Sequence, residues 1–145
     1  MPKHVPTRQE YRRFIIIPTR WADQDALQHV NNATYYSYFD TAIAAFLHGT
    51  GLMDDLNGDV TAVAVETMCR YHAPAYFPDV LSVGLRIGHI GTTSVRYEIG
   101  VFRENEDTAC ADGHFVHVHV DRREMTRTTP IPPAMHKVLE TLLVK

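Results

Sequence analysis

Residues 33–48 read as a helix with almost no polar face. Thr34, Ser37, Thr41 and His48 share one narrow stripe at helical spacing, with Asp40 beside it. Tyr35, Tyr36, Tyr38, Phe39, Ala42, Ile43, Phe46 and Leu47 cover most of the remaining circumference. A helix apolar over so much of its surface has to be enclosed by the rest of the chain. Gly49 follows directly and is expected to end it.

What can do the enclosing is written as strands. Phe14-Ile15-Ile16-Ile17 is a short β-branched run closed by Pro18, a buried or edge strand. Residues 19–32 form a polar loop before the helix, and residues 51–59 a second loop after it. Residues 60–71 then make a long strand rich in Val, Thr and Ala, and the Pro-containing stretch 72–79 is a connection. Leu81, Val83, Leu85 and Ile87 alternate with Ser82, Gly84, Arg86 and Gly88, the period of a half-buried strand. Val95, Tyr97, Ile99 and Val101 repeat that pattern after a Gly91-Thr92-Thr93 hairpin turn. A turn at 104–107 leads to a last strand, 108–121. Its apolar parity shifts from Ala109 and Ala111 to Val116, Val118 and Val120, which points to a β-bulge at Gly113. Residues 130–133 open a short amphipathic helix ending near Val144. The expected architecture is α+β: one long central helix wrapped by an antiparallel sheet of about five strands, in a single domain over residues 1–145. Such a sheet has two open edges, so pairing with a second copy is expected.

Composition narrows the function. A formal charge of −3 offers no basic field for nucleic acid. The first fifteen residues carry charges rather than an apolar signal sequence, and no run approaches the roughly 20 apolar residues of a membrane span. Cys69 and Cys110 are too few for a disulfide scaffold and suit a reducing compartment. The expected location is the cytoplasm.

The chemistry concentrates in the loop. From Thr19 to Tyr35 the chain gathers Asp23 and Asp25, His29, and the amides of Asn31 and Asn32 just before the apolar helix. A helix start offers unpaired N–H groups and partial positive charge, suited to an anion or a developing oxyanion. Alternatively, Asn31 or Asn32 merely caps the helix and the aspartates shape the turn. Capping needs only one such residue, but spacing alone leaves both readings open.

Asp-x-Asp followed by His-Val-Asn-Asn-x-x-Tyr at a helix start resembles the 4-hydroxybenzoyl-CoA thioesterase-like family of hotdog-fold enzymes. Tyr71-His72-Ala73-Pro74-Ala75 through Asp79, and Ile90-Gly91-Thr92-Thr93-Ser94, resemble it too, over roughly residues 17–121. The resemblance implies hydrolysis of an acyl-CoA thioester by a homodimer or homotetramer that needs no cofactor. It implies Asp25 as the catalytic carboxylate, acting as nucleophile or general base, and the amide near Asn32 as oxyanion donor. His29, Asn32 and Tyr35 are the candidate substrate-binding residues. Gln28 departs from the pattern, standing where relatives usually carry glycine.

Two other functions stay open on this fold: a non-catalytic acyl-CoA-binding module, and a dehydratase or hydratase. The first has no need of a carboxylate at the thioester, and His29 with Asp25 does not follow the His-plus-acid arrangement of the second. His117 and His119 share a strand face but match no common metal spacing, so no metal site is expected. Arg86, His89 and Arg96 flank the 92–94 turn and either meet coenzyme A phosphates or form a solvated face. Tyr36, Tyr38 and Phe46 are expected in the core, and Asp40 as a helix-to-sheet hydrogen-bonding group.

Overall fold

The computed structural model describes residues 4–52 and 58–144. In chain order the elements are β1 (Arg13–Pro18), α1 (Thr34–Gly49), β2 (Val60–Tyr71), β3 (Val80–Ile90), β4 (Ser94–Phe102), β5 (Ala111–Asp121) and α2 (Pro133–Glu140). Single 3-10 turns occupy Arg8–Glu10 and Trp21–Asp23. The strands form one five-stranded sheet in the order β1-β3-β4-β5-β2, with every pairing antiparallel. No described helix is long and apolar enough to cross a membrane.

The helix is enclosed as its composition demands. Tyr35, Tyr38, Phe39, Ala42, Ile43, Phe46 and Leu47 are buried, while Ser37, Asp40, Thr41 and His48 face solvent. They join Leu81, Val83, Leu85 and Ile87 of β3 and Val95, Tyr97, Ile99 and Val101 of β4 in one core. Each large apolar side chain so buried contributes roughly 1.5–3 kcal/mol. Met135 and Leu139 of α2 close the end of this core. β1 is an edge strand: Ile15 and Ile17 pack inward while Phe14 and Ile16 are exposed.

Two helix ends differ from expectation. The helix runs through Gly49, which sits comfortably in right-handed backbone. The left-handed residue that lets the chain leave is Gly51, at φ +75°. The last helix ends at Glu140, after which Leu143 bridges alongside Ile87. Part of the expected loop 51–59, residues 53–57, lies outside the described residues.

β5 has no bulge at Gly113. Its register is regular past both neighbours there, and the irregularities fall in β2 between Ala64 and Glu66 and in β3 between Ile87 and His89. The parity change has another cause. Ala111 faces the helix, whereas Val116 and Val118 lie on the opposite face, and the helix face at that end takes His117 instead. Gly113 is required by crowding: a Cβ there would run into the Met68 carbonyl and, at 2.9 Å, the Phe39 ring. Gly113→Ala should therefore destabilise the fold by about 1–3 kcal/mol, read as a shift in the urea midpoint.

Candidate active site

The loop between β1 and α1 is organised around Asp23, which is buried. Its Oδ2 accepts the Arg20 N–H at 2.9 Å and the Tyr38 hydroxyl at 2.8 Å, and its Oδ1 accepts Arg20 Nε at 3.0 Å. Its backbone carbonyl accepts the Asn31 N–H at 2.8 Å. One residue thus ties the loop's entry, its exit and α1 together. Burial alone would raise the Asp23 pKa, but the donors from Arg20 and Tyr38 hold it below the ordinary value.

Asp25 sits differently. It is half-exposed, on a tight turn in which Gln28 N–H donates to the Asp25 carbonyl at 3.0 Å and Asp25 N–H to the His29 carbonyl at 3.1 Å. Its Oδ1 accepts the Leu27 N–H at 2.9 Å, and among the described residues its Oδ2 has no hydrogen-bond partner. Gln28 closes this turn at φ +68°, left-handed backbone that favours glycine. The departure from the family pattern falls on the residue whose backbone explains the glycine.

The amides before the helix are used in order. Val30 N–H donates to the Ala75 carbonyl at 2.9 Å and Asn31 N–H to Asp23. Ala33 N–H donates to the Asn31 side chain at 2.9 Å and Thr34 N–H to the Asn31 carbonyl at 2.9 Å. Asn31 thus accepts two amides just ahead of α1, whose N-cap position is Ala33. The Asn32 N–H, between them, has no partner among the described residues.

That amide belongs to a residue lining a cavity of about 250 Å³, together with His29, Val30, Tyr35, Tyr71, His72, Ala73 and Pro74. The structure brings three sequence candidates, His29, Asn32 and Tyr35, to one pocket. Asp25 lies on the adjoining turn and does not line the cavity of the single chain. Tyr35 is buried edge-to-face against Tyr71 at 5.3 Å between ring centres, and burial raises its hydroxyl pKa.

The pocket wall at 71–74 was not identified from sequence as part of a site. The only available signal was its place in the family pattern, because no periodicity reveals that a turn will face a helix start. The same holds for what braces it. His72 Nε2 lies 2.6 Å from Asp112 Oδ1, and Arg70 Nη2 donates to Asp112 Oδ2 at 2.7 Å. Burial would raise the Asp112 pKa, and these two partners lower it.

Other candidates find local partners. Arg86 and Arg96 both donate to Glu98, at 2.9 and 3.0 Å, while His89 is exposed. Tyr38 and Phe46 are in the core. Asp40 is exposed on α1, where its charge acts on His117, a residue held between the Tyr97 and Phe115 rings. Burial lowers the pKa of both His117 and His119.

Residues 19–139 match the Thioesterase-like superfamily. The structure of the Pseudomonas aeruginosa PAO1 protein PA5185 is similar at a TM-score of 0.92 and 42% identity, over 98% of this chain and 99% of that one. Slr0204 of Synechocystis, a 1,4-dihydroxy-2-naphthoyl-CoA thioesterase, superposes at a TM-score of 0.79 and 19% identity, over 87% of this chain and 93% of that one. The Staphylococcus aureus DHNA-CoA thioesterase gives 0.77 at 16% identity, over 88% and 87% respectively. These last two likenesses are of fold.

The Asp23 geometry makes a prediction about pH. Its carboxyl is depressed below its ordinary 3.8, so its contribution is present above about pH 4 and lost as pH falls through the folded value. Asp23→Asn should cost about 1–3 kcal/mol at neutral pH. It should also flatten the fall in stability below pH 4, measured by urea unfolding across a pH series.

Proposed function

The chain belongs to the thioesterase-like superfamily, with the hotdog fold of its structural neighbours, and from that premise we propose that it hydrolyses an acyl-coenzyme A to free acid and coenzyme A. The observation that carries the reading is the Asn32 N–H, without a partner among the described residues and belonging to a residue that lines the pocket beside the helix start. Attack on a thioester carbonyl puts negative charge on its oxygen, and an N–H that has no bond to give up can stabilise that charge. The partial positive charge of α1's first turn adds to it.

Asp25 supplies the other half. Its unengaged Oδ2 either attacks the carbonyl carbon, expelling the coenzyme A thiolate and leaving a mixed anhydride that water opens, or takes a proton from the attacking water. Either way the C–S bond breaks and the thiolate departs without needing a general acid. His29, Asn32 and Tyr35 contact the substrate. The free thiols of Cys69 and Cys110 and the net charge of −3 support a cytoplasmic enzyme with no nucleic-acid partner.

Asp25→Asn keeps size and hydrogen bonding but removes the charge that both routes require. Thiol release from a panel of acyl-CoAs should show kcat reduced by roughly 10²–10⁴ with the melting temperature little changed. Near-normal turnover in Asp25→Asn, with collapse in Asp23→Asn, would move the catalytic role two residues upstream.

A homodimer or homotetramer completes the reading. β1 and β2 are the sheet's edges, and each exposes a large apolar side chain, Ile16 at 63% and Val65 at 58%. Light scattering at micromolar concentration should give at least twice the chain mass, and a stable monomer would count against a site shared between copies.

A further inference from the structure

Among the described residues, one group holds Asn32 on its carbonyl side. The Tyr71 hydroxyl donates to the Asn32 carbonyl at 2.7 Å, across 39 positions of sequence. Tyr71 is the last residue of β2 and lines the same pocket. Its own position is fixed from two sides. Its ring packs edge-to-face on Tyr35, and the next two amides, His72 and Ala73, both donate to the Cys110 carbonyl, at 2.9 and 3.1 Å. Beyond them, His72 is clamped to Asp112, itself held by Arg70, with the His72 and Asp112 side chains only 6% and 7% exposed.

We propose that Tyr71 is a positioning residue for the oxyanion donor: its hydroxyl ties the Asn32 carbonyl to the end of β2 and so fixes where residue 32, and with it the Asn32 N–H, sits against the pocket. The role rests on the thioesterase reading above. The physical reason is that residue 32 lies just ahead of α1 and its two peptides are separate planes: the one carrying its N–H is held through the Asn31 carbonyl by the Thr34 N–H, and the one carrying its carbonyl is held by the Tyr71 hydroxyl. The remaining contacts on both sides run through the Asn31 side chain and carbonyl, on the same turn. The Tyr71 bond is the contact that refers this residue to the rigid sheet. A donor must lie within a few tenths of an ångström of the developing charge to be worth its usual rate factor, so loosening the anchor costs rate rather than affinity. Burial raises the Tyr71 pKa, which keeps the hydroxyl protonated and donating across the neutral range.

The test is Tyr71→Phe, which deletes the hydroxyl and keeps the ring on Tyr35. Steady-state hydrolysis of an acyl-CoA panel should show kcat lowered about tenfold with KM within about twofold of wild type. The melting temperature should be nearly unchanged, and amide hydrogen exchange at residues 31–33 should be faster. Unchanged kcat overturns the proposal, as does a loss carried by KM. If the wild-type chain releases thiol from no acyl-CoA, the thioesterase reading falls and takes this role with it. An active wild type with an equally active Tyr71→Phe removes the Tyr71 role alone.

Discussion

Everything in this molecule follows from having to surround α1. Seven of its side chains are buried, and Phe39, fully buried at the centre, reaches the sheet where Gly113 leaves room for its ring. A helix pressed that close demands a sheet with a small residue under its middle and branched residues around it. β5 offers Ala111 and Gly113, and β3 and β4 supply the Leu, Val and Ile that close in from the side. The sheet in turn has to be long and continuous, which explains why β2 and β3 are joined by a connection at the end where the helix starts. That placement brings residues 71–75 against residues 29–35.

The parts of the fold with a period were legible in the sequence. β3 and β4 alternate along their length, and their inward residues are the buried ones; α1 shows its exposed stripe in sequence as it does in space. What misled was parity without context. The valines of β5 after Gly113 suggested a slipped register, but the strand carries Val116 and Val118 half-buried on its outer face and, on its inner face, His117 flanked by rings. Bulges in β2 and β3 left no such mark, because Val65 and Gly88 are unremarkable residues in apolar strands.

The site was half legible for a related reason. His29, Asn32 and Tyr35 lie within one short stretch, so local sequence could bring them together. Tyr71 and His72 reach the same pocket only through the pairing of β2 with β5, and the Asp112 that braces His72 is forty positions away. Sequence distance hides such contacts. For the charged residues on the outer face the sequence left phosphate contact and a solvated face both open; Glu98 of β4 engages Arg86 of β3 and Arg96 of its own strand.

Asp23 and Asp25 show how two like residues, two positions apart, come to differ. Asp23 is enclosed and surrounded by donors from Arg20 and Tyr38, so both oxygens are committed and protonation is disfavoured. A carboxylate in that state resists accepting a proton, and its lone pairs have no access to a carbonyl carbon. Asp25 gives one oxygen to the Leu27 amide, which fixes its rotamer, and leaves the other unengaged at a half-exposed position. Exchanging the two environments would exchange what each group can do, since the residue type is the same. The buried member also steadies the other, because Asp23 holds the Asn31 amide and through it the end of the loop that carries Asp25. On these grounds the proposed chemistry falls to Asp25, while Asp23 holds the geometry in which it would act.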